Sequence, residues 1–263
     1  MRVAFSEKWF RLDGKVAIVT GGCGGMGTAL CRGLSSVGAS IGVADRDAEK
    51  VASLVKSLEA DGVKAVGTVF DAMSADDTRR AIDEVAGHFG RLDMLVNTVG
   101  GNTKEELADA VTDAGFEQVL RLNLTTAMFQ SQAAARHMKA GGRGGKIVHV
   151  GSVRSLLALR GRGFSGYCAA KGGLAILCKQ LAAEWAPDKI NVNMISPTFV
   201  RTPQGESFLT DPAFKQGVIA RIPLGRIGET DDIVAAATFL GSQASDFITG
   251  HNLFVDGGVT ATQ

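Results

Sequence analysis

Tyr167 and Lys171 stand four residues apart in Gly166-Tyr167-Cys168-Ala169-Ala170-Lys171, the spacing that sets two side chains on one face of a helix. A free tyrosine has a pKa of about 10 and is a poor base at neutral pH. A cation within about 4–6 Å favours the phenolate by roughly 1–3 units. The Lys171 ammonium is therefore expected to bring the Tyr167 phenol toward neutral pH, where it could exchange a proton with an alcohol or ketone oxygen. Ser152, in Val150-Gly151-Ser152, closes an apolar run and could hold that oxygen with its hydroxyl. A Tyr–Lys pair alone is common by chance, so its meaning depends on what positions it.

The positioning elements are short apolar runs alternating with helical patterns. Val16–Val19, Ser40–Ala44, Ala65–Phe70, Leu92–Val96, Ile147–Val150, Val192–Ile195 and Leu253–Val255 read as buried strands. Between them, Val51, Leu54, Val55 and Leu58 fall at i, i+3, i+4, i+7, as do Leu174, Leu177, Cys178 and Leu181. Ser74 and Asp77 form a candidate capping box ahead of Ile82, Val85 and Phe89. Strands alternating with helices imply βαβ units, hence an α/β fold with a doubly wound parallel sheet of about seven strands flanked by helices. No linker or repeat interrupts the alternation, so residues 1–263 read as a single domain. Ser152 then lies at the carboxyl edge of the sheet, the side on which such folds bind ligands.

The first strand runs into Thr20-Gly21-Gly22-Cys23-Gly24-Gly25-Met26-Gly27 and then a helix. A strand–glycine–helix junction offers backbone N–H groups and a helix N-terminus to a pyrophosphate. Asp45 ends the second strand, 20 residues after Gly25, where an acid would hydrogen-bond an adenosine ribose; capping the next helix is its alternative role. A carboxylate there repels a 2′-phosphate, favouring NAD over NADP, although the Arg46 guanidinium could clamp that phosphate. The positive ring of NAD⁺ would reinforce the effect of Lys171 on Tyr167. Asp71, after the third strand, stands where an adenine edge would lie, with a turn role nearly as well supported.

Together these residues resemble the short-chain dehydrogenase/reductase family, and the resemblance runs from Gly14 to Gly258. Thr20-Gly21-xxx-Gly25-x-Gly27 is similar to its TGxxxGxG loop, Tyr167-xxx-Lys171 to its YxxxK, Ser152 to its serine, and Asn123 to the asparagine that kinks a helix and anchors a proton-relay water. The resemblance implies a Rossmann-type domain, hydride transfer between nicotinamide C4 and a carbinol carbon, catalysis by Asn123, Ser152, Tyr167 and Lys171, and a homotetramer. It implies a cofactor site of Gly21, Gly25, Met26, Gly27, Asp45, Arg46, Asp71, Ala72, Asn97, Tyr167, Lys171, Pro197, Val200 and Thr202, with Val200 and Thr202 on the carboxamide. The chain departs from the family at Asn97-Thr98-Val99-Gly100 for NNAG, at Pro197-Thr198 for PG, and in the spacing of fifteen positions from Ser152 to Tyr167, which leaves Ser155 as a second candidate serine. Within the family it looks most like the gluconate 5-dehydrogenase-like branch acting on sugar acids and polyols. A 3-oxoacyl-thioester reductase using NADPH and a catalytically idle nucleotide sensor are the alternatives.

Arg154, Arg160 and Arg162 crowd the loop after Ser152, where they could recognise an anionic substrate; Ser152, Arg154 and Tyr167 are the expected substrate contacts. Residues 203–217, with Phe208 and Phe214, are expected to form a substrate lid. His149 reads as a satisfied core histidine, and Cys23 as an inert small residue with oxidant sensitivity as its alternative. Lys plus Arg number 28 against 27 acidic residues, a formal charge of +1, which argues against nucleic acid or an anionic membrane as partner. Four cysteines lack metal or disulfide spacing, no bound metal is expected, and the opening residues show no leader pattern. A cytoplasmic protein acting on a small molecule is the expectation.

Overall fold

The apolar runs form β1 (Val16–Thr20), β2 (Ser40–Asp45), β3 (Ala65–Val69), β4 (Met94–Asn97), β5 (Gly145–Val150), β6 (Ile190–Pro197) and β7 (Asn252–Val255). The computed structural model describes residues 6–102 and 105–263. All seven strands pair in parallel in the order β3-β2-β1-β4-β5-β6-β7. The order reverses between β1 and β4, the point beyond the strands' carboxyl ends at which such folds bind ligands.

The connecting helices are α1 (Gly25–Ser36), α2 (Ala48–Ala60), α3 (Ala75–Phe89), α4 (Asp113–Leu120), α5 (Thr126–Gly141) and α6 (Ser165–Trp185), then α7 (Pro203–Leu209), α8 (Pro212–Ile219), α9 (Thr230–Gly241) and α10 (Val259–Thr262). Because side chains alternate along a strand, β1 sends Val16 and Ile18 to one face and Ala17 and Val19 to the other. The first face packs on α3, α5 and α6 through Ile82, Val85, Met138, Leu174 and Trp185. The second packs on α1, α2 and α9 through Leu30, Leu34, Leu54, Ile233 and Leu240. Burying each such side chain contributes about 1.5–3 kcal/mol, and the two layers clamp the sheet that carries the site.

Two local readings change. Ser74 does cap α3, accepting from Asp77 N at 3.2 Å, but the Asp77 carboxylate accepts from Asp71 N at 2.6 Å and leaves the box half-closed. The reciprocal box forms instead at Glu229 and Asp232, ahead of α9. The segment expected as a lid consists of α7 and α8, with Leu209, Val218, Ile222, Ile227 and Val259 forming a small apolar cluster of their own. The Phe208 side chain lies outside the described residues. Among the described residues no helix is long and apolar enough to cross a membrane, and no cluster of residues is able to hold a metal ion.

Candidate active site

The turn from β1 into α1 is built for close approach. A Cβ at Gly27 would stand 2.1 Å from the Gly21 carbonyl oxygen, so only glycine lets the helix begin against the strand end. Gly24 is the N-cap of α1 and has no side chain with which to cap it, so the leading N–H groups are left for an outside acceptor. Gly21, Gly25, Met26 and Gly27 all fall in this turn, with Met26 also packing on the core. The cradle fits the phosphates of a dinucleotide.

Asp45 sits at the end of β2 beside it and braces the loop: Oδ2 accepts from Cys23 N at 2.9 Å and Oδ1 from Arg46 N at 2.7 Å. Capping of α2 falls to Asp47. Each carboxylate oxygen of Asp45 keeps a lone pair for a ribose hydroxyl. Arg46 is exposed and forms no ion pair among the described residues. Burial and the neighbouring Asp45 carboxylate push the Cys23 thiol up to about 11, which keeps it protonated and unreactive. Asp71 spends Oδ1 on Met73 N at 2.9 Å, a turn role, while Ala72 packs on the core.

At the centre, a buried polar chain fixes the end of β4. Asn97 Nδ2 meets His149 Nδ1 at 3.1 Å, and His149 Nε2 meets Ser131 Oγ at 2.9 Å. The Ser131 hydroxyl donates to Ala127 O at 2.7 Å, so the ring must carry its hydrogen on Nε2. Burial pushes His149 down to about 3, so it remains neutral. Asn97 Oδ1 accepts from Val99 N at 2.8 Å, which orders Val99-Gly100-Gly101. Val99 packs on the core, and a Cβ at Gly100 would meet Asn123 Oδ1 at 2.7 Å and Lys171 Nζ at 3.2 Å.

Asn123 lies in a π-helical turn, Arg121–Thr125, between α4 and α5. Such a turn inserts one residue into the helix and re-aims its neighbours. Asn123 is 1% exposed. Its Oδ1 accepts from Gly101 N at 2.9 Å, and its Nδ2 donates to Gly101 O at 2.8 Å and Val119 O at 2.9 Å.

Tyr167 occupies the first turn of α6 and Lys171 the next. Lys171 is 3% exposed and donates from Nζ to Val150 O at 3.0 Å. Burial pushes it down to about 8. The Ser152 Oγ accepts from Arg154 N at 3.1 Å and lies within hydrogen-bond reach of the Tyr167 phenol. Burial pushes that phenol above its ordinary range, although the Ser152 hydrogen bond pulls it back. Burial thus works against the acidification expected from Lys171 and a nicotinamide ring. The Lys171 ammonium lies 5.6 Å from the Tyr167 ring centroid. Ser155 is committed elsewhere, its Oγ accepting from Asn252 Nδ2 at 3.1 Å.

Ser152 and Tyr167 line a cavity of about 290 Å³ that also takes in Arg154, Arg162, Thr198 and Arg221. Arg162 is paired with Glu105 across the mouth. Arg154 donates from Nη1 to Leu157 O at 3.1 Å and to Ala158 O. Arg160 is exposed and does not reach the cavity. Pro197 ends β6, Val200 bridges to Gly228, and the Thr202 hydroxyl caps α7 by accepting from Gly205 N at 3.1 Å. Phe214, expected on the lid, lines the cavity, whereas sequence reasoning missed Arg221, Phe164 and Phe199 there. Their contribution depends on how α6 and the α7–α8 segment fold over the sheet, and no local spacing announces it.

The family model described as enoyl-(acyl carrier protein) reductase matches residues 21–260. The D-threitol dehydrogenase of Mycolicibacterium smegmatis is 38% identical, the match spanning 95% of each chain. The gluconate 5-dehydrogenase of Gluconobacter oxydans is 35% identical over 96% of this chain and 97% of the relative. Among solved structures, a gluconate 5-dehydrogenase from Burkholderia cenocepacia in complex with NADP and tartrate superposes with a TM-score of 0.91 at 39% identity, covering 97% of this chain and 99% of the other. With the glycine cradle, the Tyr167–Lys171 pair and near-complete coverage in agreement, the chain belongs to the short-chain dehydrogenase/reductase family, as an oxidoreductase of alcohols and ketones.

Proposed function

We propose that the protein interconverts a ketone and a secondary alcohol on a small acid, using NAD(H). The observation that carries this is the convergence of Ser152, Tyr167 and Lys171 at the carboxyl end of β5, with the glycine cradle at the carboxyl end of β1. When bound, the dinucleotide supplies or takes up a hydride at its nicotinamide ring. Gly21, Gly25, Met26 and Gly27 would hold its phosphates, Asp45 its ribose, and Asn97, Pro197, Val200 and Thr202 would line the path to the nicotinamide.

Ser152 fixes the reacting oxygen, its own oxygen already held by Arg154 N. Tyr167, kept protonated by burial, is set to donate its phenolic proton to a ketone oxygen. Lys171 sits one helical turn away, and Val150 O holds it in register with that strand end. Asn123 acts on the same region by pinning Gly101, which keeps Gly100 against the ammonium.

The acid half of the substrate is supported by Arg154 in the cavity wall and by relatives named for gluconate. Asp45 at the ribose position favours NAD(H). The NADP in the Burkholderia complex and the exposed Arg46 favour the phosphorylated coenzyme, which makes coenzyme choice a measurement of its own. A homotetramer is what the family resemblance implies, and the exposed Ile176 on α6, at 64%, and Phe247, at 104%, are apolar side chains that a second copy could cover. Four free cysteines accord with a reducing cytoplasm. The α7–α8 segment, carrying Phe214 over the cavity, is assigned as the lid.

The test is direct: purified protein is offered oxo acids and neutral ketones with NADH and with NADPH while absorbance of the reduced coenzyme is followed. Turnover of oxo acids with NADH supports the reading, and absence of turnover with either coenzyme contradicts it.

A further inference from the structure

The cavity beside Ser152 and Tyr167 is lined by three arginines among mainly apolar side chains. Of its three guanidinium groups, Arg162 is neutralised by Glu105, whereas Arg154 and Arg221 pair with no carboxylate among the described residues. The two lie near enough that, after burial, Arg221 contributes to lowering the affinity of Arg154 for its proton. Like charges held together in a wall are stabilised when an anion arrives between them.

The free donors have a definite shape. Arg154 spends Nη1 on the carbonyls of Leu157 and Ala158, which leaves the Nε–Nη2 edge. Arg221 spends Nε on Gly217 O at 3.1 Å, which leaves its two terminal nitrogens. A two-donor edge matches the two oxygens of a carboxylate.

The rest of the wall is different. Leu159, Phe164, Phe199, Phe214, Val218 and Ile222 supply most of its apolar lining. Phe199 and Phe214 meet edge to face at 5.9 Å and 70°, and Phe164 lies 6.0 Å from Tyr167. A polyhydroxylated chain placed between these rings would leave several hydroxyls without partners, each costing roughly 1–3 kcal/mol. The neutral polar groups along the cavity, Ser152, Tyr167, Thr198 and Gln263, are too few to receive them all once two are committed to the reacting oxygen.

We infer that the substrate of this site is an oxo acid with a hydrocarbon body: its ketone carbon at Ser152 and Tyr167, its ring or chain between Phe164 and the Phe199–Phe214 wall, and its carboxylate on Arg154 and Arg221. This rests on the ketone–alcohol reading above and narrows it. A volume of about 290 Å³ lies at the small end of ligand pockets, about 300–1,000 Å³, which suits a compact body such as one six-membered ring. Arg221 is the specificity-determining residue that the sequence did not reveal.

The experiment compares three ketones on the full-length protein, each with NADH and with NADPH: 4-oxocyclohexanecarboxylate, its methyl ester, and 5-keto-D-gluconate. The expected result is a kcat/KM for the cyclic acid about 10–100-fold above the ester, the range of a charged hydrogen-bonded contact, and above 5-keto-D-gluconate as well. In R221M the acid-to-ester ratio should fall toward one with the loss in KM, and in R221K part of the ratio should return. Preference for 5-keto-D-gluconate overturns the hydrocarbon body while leaving the ketone–alcohol reading standing. Equal use of acid and ester overturns the carboxylate contact. No turnover of any of the three with either coenzyme overturns both this inference and the reading on which it rests.

Discussion

Lys171 Nζ donates to the carbonyl oxygen of Val150 at 3.0 Å, so the ammonium is tied to the last residue of β5, two residues before Ser152. One hydrogen bond thereby sets the register of α6 against the strand whose end carries the serine. The pair explains how a charged side chain stays buried beneath Tyr167 with no carboxylate partner, and it has a measurable consequence.

Burial holds Lys171 near 8, against an ordinary value of 10.5. The unfolded chain therefore binds more protons than the folded one between about pH 8 and 10.5, and stability from this group rises with pH across that window. A shift of this size corresponds to on the order of 3 kcal/mol. Thermal unfolding of the wild type and Lys171→Met, measured from pH 7 to 10 without coenzyme, should show the wild type gaining on the variant as pH rises. A constant difference would show that the amine is not desolvated. The variant should also lose most of its turnover.

Asp45 braces Cys23 N at 2.9 Å and, in the function proposed here, also takes the ribose. Asp45→Ala should therefore weaken binding of both coenzymes, and it should raise the NADPH-to-NADH ratio of specificity constants by at least about tenfold, because a repulsion of several kcal/mol is removed. Initial rates with the two coenzymes over a concentration series check this. An unmoved ratio would take coenzyme selection away from Asp45 and give weight to Arg46.

The Asn97–His149–Ser131 chain lies beneath the site, and its contribution should appear in stability. His149→Phe leaves the Asn97 amide and the Ser131 hydroxyl short of a partner, at a cost of roughly 1–3 kcal/mol for each unsatisfied group. The urea midpoint should fall with little change in slope. His149 is held near 3 against an ordinary value of 6.5, so the folded state binds fewer protons than the unfolded one between those values. Wild-type stability should then decline as pH drops from about 6.5 toward 4, and more steeply than in His149→Phe. Parallel pH profiles would mean that the ring takes up its proton while folded.

The strands could be read from the sequence because a parallel sheet buries both faces of its central strands, so β1, β2 and β4 appear as unbroken buried runs, while the edge strands β3 and β7 are only partly buried. Where a run was read too long the cause is local. Leu92–Val96 begins as a strand only at Met94, because the Asp93 carboxylate turns back to accept from Val16 N at 2.9 Å and Arg91 Nε at 2.7 Å. Tyr167, Lys171, Ser152 and the glycine turn could be read because each is tied to one element boundary. The direction of the Tyr167 shift could not, since spacing reports a cation's proximity and is silent on desolvation. Arg221 and Phe199 were invisible for a further reason: they share a cavity with Ser152 only in the folded chain, a relation without sequence periodicity.

The most direct test of the account is Tyr167→Phe, which removes one hydroxyl and keeps the ring that packs against Phe164. Binding of NADH, followed by fluorescence titration, should be little changed, while single-turnover reduction of a ketone substrate should slow by about 10²–10⁴-fold, the range of a positioned proton donor. A variant that binds NADH and still reduces the ketone at the wild-type rate would contradict the assignment of Tyr167 as the proton donor.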